Sequence, residues 1–244
     1  MSTPVTHRRL RLNLDHASWE LLWSHVHRVL AVNLGMAVTN APLLLALGVV
    51  HRPWQYPVFF GLLSLGLGPS LAAAFHYLRR ATEEDRASTA DLFRGYRRLF
   101  APALLGWAPW VLLVAVAATD VAVLRTTAPG PALVPLLVVV AVVAASSGVV
   151  AMAAVADDPR LSPRTLLTAS CTSVRRWWLG LLNLALLGIT LVLVNQAPLL
   201  GLAVLPGCTL FVVWRNSRTM LTTVAPTADL PVSHAHRDPV GAQA

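Results

Sequence analysis

Long, almost uncharged runs alternate with short arginine-rich segments along this chain. No formal charge occurs between Arg28 and His51, and a second apolar run ends at Tyr77-Leu78 before Arg79-Arg80. Runs of this length and composition predict helices that cross a membrane, which need about 20 apolar residues each. The pattern predicts spans over about 29–50, 56–78, 101–124, 131–156, 177–195 and 198–214. The last two come from a single stretch, since no charge separates Arg176 from Arg215. At about 1.5 Å per residue, one helix over that stretch would cross a hydrocarbon core of about 30 Å nearly twice. Asn195-Gln196-Ala197-Pro198 supplies the turn that divides it.

Between the spans the period changes. Ser88-Thr89-Ala90-Asp91 fits the pattern of a capped helix start. Behind it, Leu92, Phe93, Tyr96, Leu99 and Phe100 fall on one helical face, with Asp91, Arg94, Arg97 and Arg98 on the other. That predicts a short amphipathic helix lying in the membrane interface. Asp15 heads a similar segment, in which Trp19, Leu22, Trp23, Val26, Val29 and Leu30 share a face. Ser162-Pro163 heads a third, with proline at the favoured first helical position. Leu166, Leu167, Cys171, Val174, Trp177 and Trp178 are on its apolar face, with Arg175 and Arg176 opposite. The three caps are 73 and 74 residues apart. The expected fold is therefore an all-α integral membrane protein with six transmembrane helices as three hairpins. A cytosolic amphipathic interfacial helix precedes each hairpin, and the three units are parallel repeats.

Composition sharpens this picture. The chain has 244 residues, 12% of them charged, and a mean hydropathy of +0.63. A soluble domain carries about a quarter charged residues. Net charge is +8, all of it from arginine and none from lysine. That absence removes Walker A, Schiff-base and Ser–Lys chemistry. The arginines flank apolar spans, so anionic lipid headgroups are the expected partner and nucleic acid is not. With the N-terminus inside, only Arg52 and Arg125 lie outside, which places both termini in the cytoplasm. The arginine- and alanine-rich usage points to a GC-rich bacterial genome and hence to a bacterial plasma (inner) membrane. Residues 1–28 lack the short apolar core and cleavage site of a signal peptide. Residues 1–14 and 221–244 read as disordered flanks of a membrane domain over 15–220.

Two motifs carry a family resemblance. Gly68-Pro69-Ser70-Leu71-Ala72-Ala73, followed by aromatics and Arg79-Arg80, resembles the G-P-A-T-A-A segment of the YesL-like bacterial membrane proteins. Asp91-Leu92-Phe93-Arg94-Gly95-Tyr96-Arg97-Arg98-Leu99-Phe100 resembles that family's F-x-R-G-F-[RK]-x-N-F helix, with Leu99 in place of the asparagine. The resemblance implies a six-span, non-enzymatic accessory protein found beside carbohydrate ABC importers, whose subunits become candidate partners. It brings no active site and no cofactor.

Candidate residues fall into two sets. Arg79, Arg80, Arg94, Tyr96, Arg97, Arg98, Arg175 and Arg176 form the expected cytosolic face for docking or for lipid headgroups. Positive-inside anchoring is the plainer reading of the same charges. Asn40, Gly68, Pro69, Ser70, Ser146 and Ser147 lie near the predicted midplane, with Thr39, Pro42, Ser64, Gly66 and Pro206–Thr209 close by. They suit either a polar cavity, as in a small transporter or channel, or close helix packing. Asp120 is expected at the interface beside Arg125, and His76 to reach headgroups past Arg79-Arg80. Gly68-Pro69-Ser70-Leu71 lacks the last glycine of an intramembrane-protease G-x-S-G, and no HExxH occurs. No catalytic residue and no metal site are expected. Composition leaves the oligomeric state open.

Overall fold

The protein, seen in a computed structural model that describes residues 16–52, 55–83, 88–196 and 198–222, is built from helices. They are α1 (His16–Thr39), α2 (Ala41–Val49), α3 (Pro57–Ser64), α4 (Leu67–Glu83), α5 (Thr89–Leu124), α6 (Gly130–Asp157), α7 (Pro163–Arg175), α8 (Trp177–Gln196) and α9 (Pro198–Thr222). Among the described residues four stretches are long and apolar enough to cross a membrane: Pro57–Glu83, Thr89–Leu124, Gly130–Asp157 and Trp177–Val194. Val26–Thr39 with Ala41–Val49 makes a fifth if that bent pair counts as one span. The Asp15 cap, Arg86 and the disorder expected over 1–14 and from 223 on lie outside the described residues. α9 continues to Thr222, past the 221 boundary expected for the tail.

The helix starts follow the sequence. At α5 the Ser88 hydroxyl accepts from the Ala90 amide at 3.3 Å, and the Asp91 carboxylate accepts from the Ser88 amide at 3.1 Å. This reciprocal pair satisfies two amides that a helix start leaves unpaired. Ser162 accepts from the Thr165 amide at 3.2 Å at the start of α7. The turn expected at Asn195–Pro198 is where α8 gives way to α9.

Two expectations change. The amphipathic segment behind Ser88 is not a separate interfacial helix. It is the first third of α5, one helix of 36 residues. The buried stripe Leu92, Gly95, Leu99, Ala103 keeps its phase through Pro102, so nothing compels a break. The proline removes one amide donor, and the helix continues regardless. Among the described residues only α7 is a free-standing amphipathic helix, joined to α8 at Arg176. The expected single span over 29–50 is instead bent by 66° between α1 and α2 at Asn40. Pro42, in the first turn of α2, cannot donate to the carbonyl of Val38. The second span also has an interruption, at Leu65-Gly66 between α3 and α4. There Pro69 deprives the Leu65 carbonyl of its helical donor.

The core sits toward one end. It is built from Leu71–Ala81 of α4, Leu92–Ala103 of α5, Val149–Ala156 of α6 and Leu210–Trp214 of α9, with Ala31 and Val32 of α1. These are the parts of the helices nearest the arginine-rich segments.

Candidate functional site

The arginine-bearing ends of α4, α5 and α9 meet the Asp157 end of α6 and are tied by ion pairs. Arg79 Nη1 donates to the Asp157 carbonyl at 2.9 Å and to its carboxylate at 3.3 Å. Arg218 reaches Asp157 and Glu83, each at 3.9 Å, while its guanidinium lies 5.3 Å from the centre of the Trp214 ring. Asp91 faces Arg80 at 3.9 Å and Arg94 at 2.6 Å. Arg176 Nη1 donates to the Thr219 carbonyl at 3.4 Å. His76 does not reach outward as expected. Its Nδ1 lies 3.3 Å from the Ala156 carbonyl and 3.4 Å from Arg79 Nη2, between α4 and α6.

The expected docking face therefore divides. Arg79, Arg80 and Arg176 are turned toward other helices, and Tyr96 is half-buried. Phe93, Arg94, Arg97 and Arg98 remain together around a shallow, open depression on α5. Arg175 is exposed on α7. The apolar face expected on α5 also splits. Leu92 and Leu99 are buried, but Phe93 and Phe100 are 44% and 42% exposed, beside the arginines. Gly95 explains the tilt: a Cβ there would meet the His76 ring at 3.3 Å, so α4 and α5 approach along the glycine. Among the described residues no acid pairs with Arg97 or Arg98.

The expected midplane set does not form one cavity. Gly68 and Gly148 press against the Trp107 side chain from α4 and α6; a Cβ would come within 2.5 Å and 2.7 Å of it. Ser146 packs on Gly180 of α8. Pro69 and Ser147 are buried in the same packed region. These are close helix approaches of the small-residue kind. Trp107 was invisible to sequence reasoning. Its indole Nε1 donates at 3.1 Å to the Ser64 carbonyl, one of those left open where α3 ends.

Asn40 and Ser70 are different. Ser70 Oγ donates to Thr39 Oγ1 at 3.0 Å and lies 2.8 Å from the Gly66 carbonyl, which joins the two helix breaks. Asn40 Nδ2 donates to the Met36 carbonyl at 2.9 Å, while its buried Oδ1 has no hydrogen-bond partner. Beyond them, α3 and α5 are joined at Ser64 and Trp107 and open out from there. Two apolar clefts of about 480 and 740 Å³ open there, lined in part by Phe60, Gly61, Trp107 and Val111 and, in the second, Asp120. Asp120 makes no ion pair with Arg125. Five residues along a helix put them about 140° apart around its axis.

Together the described residues form a helical structure with four or five stretches long and apolar enough to cross a membrane, packed at a basic rim. The chain matches no known family model, no curated protein and no solved structure.

Proposed function

We propose that this is a non-enzymatic accessory protein of a bacterial plasma membrane, with six spans as three hairpins and both termini in the cytoplasm. Its partner is a solute importer, and the YesL-like motifs at Gly68–Ala73 and Asp91–Phe100 favour a carbohydrate ABC system. The observation that carries the reading is the exposed group Phe93, Arg94, Arg97 and Arg98. It presents guanidinium groups and an apolar ring on a helix held rigid by its buried stripe. Arginine and aromatic residues are the side chains most enriched where proteins bind one another. The close packing at Gly68, Gly148 and Ser146 supports an accessory role over a polar conduit.

The test is a nanodisc pull-down of the tagged chain from its host, wild type against a variant carrying Arg94→Ala, Arg97→Ala and Arg98→Ala. Importer subunits should be recovered with wild type and lost with the variant at equal membrane expression. Recovery of the wild-type chain alone, correctly inserted, would overturn the reading. A second reading, a small transporter, draws support from the paired helix breaks at Asn40 and Gly66. Solute uptake by the purified protein in liposomes tests it.

A further inference from the structure

The two broken helices meet at a point where oxygen acceptors gather. Asn40 is 6% exposed, and its Nδ2 is committed to the Met36 carbonyl, so its Oδ1 points the other way. That oxygen has no partner among the described residues. A methyl group placed on Gly66 would sit 3.8 Å from Asn40 Oδ1 and 3.4 Å from the Leu63 carbonyl, and would otherwise meet only its own flanking residues. The Leu63 carbonyl already accepts from the Gly66 amide at 3.2 Å, which leaves it a second lone pair. Thr39 Oγ1, Ser70 Oγ and the Gly66 carbonyl crowd the same junction. The side-chain hydrogens there, from Thr39, Ser70 and the Asn40 amide, are already directed to other oxygens.

We propose that this junction is a binding site for a small monovalent cation, with Asn40 Oδ1 and the Leu63 carbonyl as ligands and sodium the best fit. Unwound carbonyls with side-chain oxygens at a helix break are a recurrent way to hold sodium inside a bilayer. All the oxygens are neutral. A divalent ion would bring a charge that no carboxylate offsets, and buried charge without an opposite partner is costly. Among the described residues no His, Cys, Asp or Glu cluster competes for such an ion. The ion would bridge the two breaks, tying Asn40 between α1 and α2 to Leu63 at the end of α3. It would also hold the 66° bend in place. The site is independent of the rim formed by Arg94, Arg97 and Arg98.

The experiment is thermal unfolding of the full chain in neutral-lipid nanodiscs, followed by tryptophan fluorescence. Choline chloride is exchanged for sodium, lithium or potassium chloride at constant ionic strength. A rise in Tm that grows with the logarithm of sodium concentration is expected, reaching roughly 5–10 °C at sodium about a hundredfold above its Kd. Potassium should give less. Equilibrium binding of radioactive sodium should saturate at one ion per chain in wild type. It should be lost in Asn40→Leu and in Gly66→Ala, whose added methyl fills the space. If Asn40→Leu does not fold, Gly66→Ala carries the test. Equal Tm in choline and sodium with no bound radioactivity would overturn the proposal and leave an ordered water at the site. Sodium binding that persists in both variants would overturn it as well.

Discussion

Within α6 every residue from Ser146 to Ala156 is buried, while none of residues 131–143 is. The same asymmetry runs through the molecule. α4 buries eleven residues between Gly68 and Ala81, whereas α2 and α3 bury none. Along α5 the buried positions are Leu92, Gly95, Leu99 and Ala103, then only Ala117. One half of the bundle, the half that carries the arginines, is closely packed; the other is open. Residue size explains the difference. The packed half is written in Ala, Gly and Ser (Ala72-Ala73-Ala74, Ser146-Ser147-Gly148, Ala153-Ala154), and the open half in Leu and Val. Lipid tails are as apolar as leucine, so a bundle in a bilayer gains little from hiding bulky side chains. It gains from small residues that let backbones approach. Stability therefore resides at the basic end, and the open end can be altered at little cost.

The largest effect is expected at Phe75 of α4, which has no exposed surface and belongs to the core that α4 shares with α1, α5, α6 and α9. Phe75→Ala should cost about 3 kcal/mol, because a ring-sized void in a tight region cannot close. Thermal unfolding in nanodiscs, followed by tryptophan fluorescence, measures it. A loss below about 1 kcal/mol would mean that the packed half is soft and the comparison is wrong.

A smaller effect is expected at the rim. Asp157→Asn removes the carboxylate shared by Arg79 and Arg218 while leaving the Arg79 contact with the residue 157 carbonyl. The groups are partly exposed, so the cost should be about 1 kcal/mol. Salt distinguishes this from a packing defect. Raising ionic strength should lower the Tm of wild type more than that of the variant, since screening has already taken effect where the charge is gone. Equal slopes would show that the ion pairs contribute nothing.

Much of this was legible in the sequence, and the parts that were not have physical reasons. The cap at Ser88, the start of α7 and the α8–α9 turn are local hydrogen-bonding events, so a few adjacent residues specify them. The gathering of Arg79, Arg80, Arg176 and Arg218 at one end follows from where the uncharged runs stop. The breaks were harder to see. Pro42 and Pro69 mark them, yet Pro102, Pro109, Pro135 and Pro206 lie inside continuous helices. A proline removes one hydrogen bond, and its neighbours decide whether the helix bends. The division of the arginine face was also hidden, since periodicity assigns a side but not the helix it meets. Trp107 capping Ser64 joins positions 43 residues apart and leaves no mark in either segment. The gradient of residue size along α6 is present in the sequence and could have pointed to the packed end.

The smallest effect is expected in the open half, and it is the most discriminating. Leu112 is 65% exposed on α5 and lines the larger cleft beside α3. In a bilayer its side chain exchanges protein-facing space for lipid, and lipid fills whatever Leu112→Ala vacates. No transfer free energy is lost, because the surroundings are equally apolar before and after. No void remains, because the site is open. The cost should stay within about 0.5 kcal/mol, as for a surface position. The same substitution at buried Leu99 of the same helix would leave a cavity and cost about 2 kcal/mol or more. Measured side by side in nanodiscs, the pair compares the two halves with identical chemistry on one helix. A Leu112→Ala loss that rivals Leu99→Ala would mean that the cleft is closed by protein in the membrane, through movement of α3 or a neighbouring chain.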